Sequence, residues 1–188
     1  MSMKNDFVLP ILVLTAICLF ISGSLAYVDT LTRPKIETDS AMRARLEMEK
    51  IIPEAKDFIV VTDLANLPGT VSGIFAAKDG SNKTVGYIFM LASAGYGGNI
   101  NLICGIDNSG KIIRTSVLSH TETKGMTDAV FAAPVSGQQT YQGQYIGKDK
   151  NLEGVVAVSG ATVSSTAYKR GIEGALLAFD IVSKEARP

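Results

Sequence analysis

Three short stretches hold residue types that can do chemistry, and the first is Ser159-Gly160-Ala161-Thr162. It follows the apolar run Val155 to Val158 and precedes a long helical pattern, so the spacing predicts a strand turning into a helix at these small residues. The free amides of a helix's first turn and its dipole favour an anion such as a phosphate there. Gly160 and Ala161 leave space for a bulky group against the backbone. The alternative is a plain helix cap, in which the hydroxyl of Ser164, Ser165 or Thr166 bonds the first amides and no ligand is involved. The second stretch, Gly95 to Ile100 (GYGGNI), sets three glycines around Tyr96, either as a wide turn presenting an aromatic ring or as a loop with an incidental tyrosine. The third, His120 to Thr127 (HTETKGMT), places the chain's one histidine, the Glu122 carboxylate and several hydroxyls at the end of a strand. Nothing supplies that histidine with a metal-ligand set or a nucleophile-base-acid triad, so neither a metal site nor a triad is expected.

The elements that must position these stretches are legible as a change of period. TVSGIFAAKD (70–79), KTVGYIFML (83–91), INLICGID (100–107) and KIIRTSVLSH (111–120) are short β-branched and aromatic runs. Lys78-Asp79-Gly80-Ser81-Asn82 and Asp107-Asn108-Ser109-Gly110 have turn composition, which predicts an antiparallel meander. Residues 127–150 are less regular, with one short strand expected around Thr140 to Ile146. In the C-terminal helix, Ala167, Ile172, Ala175, Leu176, Phe179 and Val182 fall on one face. Upstream, Pro34 suits a helix start, and helix formers run from Ile36 to about Lys56, with Ala41, Ala44, Leu46, Met48 and Ile51 partly at helical spacing and Pro53 as a stop.

Phe7 to Val28 carries no charge and is long enough, at about 1.5 Å per residue, to cross a bilayer as one helix. Ser24-Leu25-Ala26 resembles a signal-peptidase site, but the apolar run exceeds a usual signal core, so an anchor is the expectation. Arg33, Lys35, Arg43 and Arg45 follow the span and Lys4 precedes it, a count that leans toward a cytoplasmic C-terminal domain. The expected organisation is an N-terminal tail (1–6), a transmembrane helix (7–28), a juxtamembrane linker and helix (29–56) and one α+β domain (57–188) with a mainly antiparallel sheet and flanking helices. The chain has 18 basic and 18 acidic residues scattered along it, so no stripe exists to neutralise phosphates and nucleic acid is not an expected partner. Cys18 and Cys104 lie in settings too different for a disulfide, and two thiols make no zinc or iron-sulfur site alone.

Together, the membrane helix, GYGGNI, IDNSGKIIRTSVLSH, HTETKG and SGATVSS resemble the FMN-binding domain family, in the branch formed by the G subunits of Rnf electron-transport complexes and, nearby, the C subunits of sodium-pumping NADH:quinone reductases. The resemblance covers nearly the whole chain. It implies covalent FMN, joined by a phosphoester to Thr162 by a flavin transferase, with Ser159, Gly160 and Ala161 beside the attachment point. It also implies that Glu122, Thr123, Met126, Gly95 and Tyr96 border the isoalloxazine ring. Lys124 and Met126 stand where the family usually has proline and leucine, and Val156 where the flavinylation motif commonly has aspartate. By resemblance the chain is an electron-relay subunit of an ion-translocating ferredoxin:NAD+ oxidoreductase, not catalytic alone, with its domain on the outer face of the cytoplasmic membrane. Its implied partners are iron-sulfur membrane subunits and a second flavin-bearing membrane subunit. The readings set against this are a stand-alone anchored flavin carrier and an anchored structural or ligand-binding module without flavin. Lys148 and Lys150 are either near the flavin phosphate or solvated.

Overall fold

In the computed structural model the described residues are 3–62, 64–132 and 140–185. By internal contacts they form two units, residues 1–42 and 43–188. The first unit consists of the greater part of helix α1, Met3–Ile51. Its segment Val8–Arg33 is long and apolar enough to cross a membrane and buries nothing against protein. Thr15, Ser24, Thr30 and Thr32 return their hydroxyls to carbonyls three or four residues back, so these polar groups are satisfied within the helix. Helix α1 runs through Pro34 instead of starting there, and it ends two residues before Pro53.

The second unit is built on a five-stranded antiparallel sheet in the order of the chain: β1 (Asp57–Val60), β2 (Val71–Lys78), β3 (Thr84–Ala94), β4 (Asn99–Asp107) and β5 (Ile112–His120). Four strands match the period-two runs. The edge strand β1, four residues long and mostly exposed, has too short a pattern to read. The β2–β3 and β4–β5 connections use one device. Asp79 accepts the amides of Ser81 and Lys83, and Asp107 accepts those of Ser109 and Lys111, each a side chain closing its own turn.

Alternation along the strands gives the sheet two apolar faces. Phe89 and Leu91 of β3, with Ile100, Leu102, Cys104 and Ile106 of β4, face helix α3 (Thr162–Glu185), which presents Ala167, Ile172, Ala175, Leu176, Phe179 and Val182. Ile88 and Ile103 face the last turn of α1 and the segment just after it, namely Met48, Ile51, Ile52 and Ala55. A strand buried on both faces reads as a continuous apolar run, as β4 does. Gly105 permits this second packing, because a Cβ there would run into the Ile51 side chain. Helix α3 also comes close on the other side, since a Cβ at Gly171 would fall 2.9 Å from Leu102.

Two expectations are corrected. The segment around Thr140 to Ile146 forms no strand. Gln142–Tyr145 is a 3-10 turn that buries Tyr145 beneath α3, and the local Tyr141, Tyr145 and Tyr168 ring contacts outweigh the weak strand propensity. Val155 to Val158 is outside the sheet. The Gln144 side chain holds it instead, accepting the Val156 amide at 2.7 Å and donating to the Val156 carbonyl at 3.2 Å. A short helix, α2 (Asp128–Phe131), comes after the sheet.

Candidate functional site

Antiparallel order brings the end of β3, the start of β4 and the end of β5 to one end of the sheet. Helix α3 passes Ser93 and Leu91 at Gly171 and reaches Tyr87 and Gly110 at Phe179, so its first turn overhangs that same end. A cleft of about 380 Å³ opens there, lined by Tyr96, by Glu122, Thr123, Met126 and Thr127, and by Gly160 to Ser164. The volume is within the range of small-molecule pockets, roughly 300–1,000 Å³.

The hairpin Gly95 to Gly98 forms the first wall. Gly95 N–H donates to the Gly98 carbonyl at 2.8 Å, and Gly98 has a φ of +145° that side chains rarely adopt. A Cβ on Gly97 would lie 2.7 Å from the Thr121 carbonyl, so glycine is required for the hairpin to lie against the 120s segment. Tyr96, left 81% exposed, projects from this support.

The second wall begins where β5 ends. Thr121 donates its hydroxyl to the Gly97 carbonyl at 3.0 Å. Glu122 is buried and accepts Gly97 N–H at 2.8 Å on Oε1 and the Ser164 hydroxyl on Oε2. Gly125, at φ +88°, turns the chain so that Thr127 can donate to the Thr123 carbonyl at 3.0 Å. His120 stacks on Phe131 with ring centroids 4.1 Å apart and does not line the cleft.

The third wall is the start of α3. Gly160 takes the left-handed conformation, with φ +78°, and Ala161 is buried. Thr162 is exposed as the first helical residue, and Ser165 N–H to the Ala161 carbonyl, at 2.9 Å, is the first helical bond. The amides of Thr162, Val163 and Ser164 therefore have no acceptor among the described residues. None of the three candidate caps serves them: Ser164 is committed to Glu122, Ser165 Oγ accepts the Val158 amide at 3.1 Å, and Thr166 makes no bond to these amides among the described residues. Beneath, Tyr141 donates to the Ser165 carbonyl at 2.7 Å and shares a 2.8 Å bond with Tyr145, while Tyr168 donates to Thr115. Burial raises all three phenols above their ordinary value and keeps them neutral, and it does the same to the Cys104 thiol.

Of the nine residues that the sequence nominates, Tyr96, Glu122, Thr123, Met126, Gly160, Ala161 and Thr162 line the one cleft. Gly95 stands behind it, where a Cβ would meet Glu122 and Ile100, and Ser159 is exposed outside the lining. Thr127, Val163 and Ser164 line it without having been nominated. Ser164, two residues after Thr162, read only as a cap because its acceptor lies 42 positions away. Lys148 donates to the Glu153 carbonyl at 2.7 Å and Lys150 pairs with Asp180 at 2.5 Å, so both are engaged away from the lining.

The cleft falls within a region shared with known proteins. The FMN-binding domain model matches residues 95–177, a range that contains every residue lining the cleft. The chain is 33% identical over 112 residues to the G subunit of the proton-translocating ferredoxin:NAD(+) oxidoreductase complex of Clostridium ljungdahlii, covering 54% of this chain and 57% of that protein. It is 30% identical over 136 residues to the G subunit of the ion-translocating oxidoreductase complex of Vibrio parahaemolyticus, covering 68% of this chain and 64% of that protein. These two alignments thus span somewhat under two thirds of each relative's length. The corresponding G subunit of Methanosarcina acetivorans aligns at 28% identity over 186 residues, 94% of this chain and 96% of its own length. The hairpin, the buried glutamate and the uncapped helix start all lie inside the range, residues 95–177, over which the chain is similar to the FMN-binding domain family.

Proposed function

We propose that this chain is a G-type subunit of an ion-translocating ferredoxin:NAD+ oxidoreductase, relaying electrons through FMN held by a phosphoester on Thr162. One observation carries the reading. The exposed Thr162 hydroxyl stands at the mouth of a cleft beside three amides that no cap satisfies, which favours a phosphate there over the plain-cap alternative. The residues present suit FMN. The amides of Thr162 to Ser164 hold a phosphate, Gly160 and Ala161 leave the approach clear, Tyr96 and Met126 offer apolar cover, and Thr123 offers polar contact. When bound, FMN supplies one- or two-electron transfer. The protein's share is to anchor, orient and shield: the ester keeps the cofactor from being lost, and the buried floor excludes water.

On this reading iron-sulfur and nicotinamide chemistry belong to companion subunits, and among the described residues no group of three or more cysteine, histidine or acidic side chains could hold a metal. The companions are iron-sulfur membrane subunits and a second flavin-bearing membrane subunit, with a flavin transferase acting in maturation. Val8–Arg33 is the anchor in the cytoplasmic membrane, and the domain lies on the outer face, where assembly with partners overrides a weak charge bias. The test is intact mass after co-expression with a flavin transferase, beside Thr162→Ala. A gain of FMN less one water, absent from the variant, is expected. An unmodified mass for a folded protein, with the transferase active on a control, would leave a helix start without a flavin.

A further inference from the structure

Glu122 is the buried acidic side chain of the cleft, only 6% exposed, and no ion pair among the described residues includes it. The ion pairs among the described residues join Arg33, Arg45, Lys50 and Lys150 to other carboxylates. Glu122 is satisfied instead by two neutral donors from opposite walls, Gly97 N–H on Oε1 and the Ser164 hydroxyl on Oε2. Both oxygens accept, the arrangement that suits a carboxylate. A buried charge supported only by dipoles is costly, and a neutral side chain of the same length would span the same two walls. The position therefore uses its charge for something a latch alone does not need.

We infer that Glu122 sets the potential of the flavin, its fixed negative charge opposing charge build-up on the reduced cofactor, while its two hydrogen bonds hold the Tyr96 hairpin against the start of α3. This rests on the FMN reading. Reduction by two electrons with uptake of fewer than two protons leaves added negative charge on the ring. A buried carboxylate in the same cleft repels that charge, so the oxidised form is favoured and the potential is lowered. Glutamine at this position keeps both contacts, its carbonyl accepting from Gly97 and its amide donating to the Ser164 oxygen, and removes only the charge.

The test compares wild type, Glu122→Gln and Glu122→Asp in the full chain after co-expression with a flavin transferase. Intact mass decides loading first. If wild type gains no FMN, it is the cofactor reading that falls. In loaded protein, reductive titration with dithionite against a reference dye gives the midpoint potential. For Glu122→Gln the reduced-to-oxidised ratio at a given potential should rise on the order of tenfold, about 30 mV for a two-electron couple. Glu122→Asp keeps the charge and should stay near wild type, although amide exchange at Gly97 should quicken as the shorter side chain releases the hairpin. Should Glu122→Gln fail to melt cooperatively, Glu122→Met serves as a second neutral variant with the same expected rise. A loaded neutral variant at the wild-type potential overturns the inference. So does Glu122→Asp shifting as far as Glu122→Gln, because geometry alone would then explain the effect.

Discussion

At the scale of single residues, the site depends on side chains whose partners are distant in sequence. Glu122 meets Gly97 and Ser164, and Tyr141 meets Ser165 24 positions on. The three tyrosines below the helix start make a prediction with a definite sign. Burial raises each phenol above its usual value of 10.0, so the stability they contribute is fully present below that pH. It is lost as the pH rises past the unfolded value and the unfolded chain becomes able to ionise. Urea midpoints should hold steady to about pH 9 and fall beyond pH 10. Tyr141→Phe and Tyr168→Phe should each cost about 1 kcal/mol at neutral pH through a lost hydrogen bond, and should weaken the alkaline fall. A flat midpoint through pH 11 in wild type would contradict this. None of these partnerships was legible in the sequence, because a tyrosine in a glycine- and glutamine-rich stretch looks the same whether it is buried or solvated.

At the scale of elements, the end of α1 is tied to the back of the sheet by more than apolar contact. Glu47 accepts the Ser116 hydroxyl of β5 at 2.9 Å and Lys50 Nζ at 2.7 Å. Burial pushes the Glu47 carboxyl up, but hydrogen bonds from Lys50 and Ser116 and the charges of Lys50 and Arg114 outweigh it, and the net value lies below the usual 4.5. A lowered folded value means stability present above the unfolded value and lost as the pH falls through the folded one. Glu47→Gln should therefore lower stability by up to about 1 kcal/mol at pH 7, and the difference from wild type should close below about pH 4. Equal urea midpoints for the two proteins at pH 7 would remove the tie. At this scale the sequence was informative: four strands, both aspartate-closed turns and the buried face of α3 all follow from period and turn chemistry. Edge strand β1 and the 3-10 turn at Gln142–Tyr145 did not, the first because it is short and the second because packing overrode propensity.

At the scale of the whole molecule, the outer-face proposal predicts that protease added to right-side-out vesicles digests residues beyond the span. A fully protected C-terminal domain would reverse it and restore the charge count around Phe7 to Val28. Apolar length by itself determined a helix long enough to cross a membrane, alternation by itself determined a meander, and three short motifs carried the resemblance to the FMN-binding domain family. These signals are local, set by the solvent each residue faces and by the turns that only glycine and aspartate close. The tertiary structure alone decided that GYGG, HTETKG and SGAT form one cleft, that Ser164 serves Glu122 instead of capping α3, and that Ser159 stands outside the lining. Convergence depends on strand order and on the direction in which α3 crosses the sheet, and these follow from packing between residues far apart in the chain, which no local period encodes.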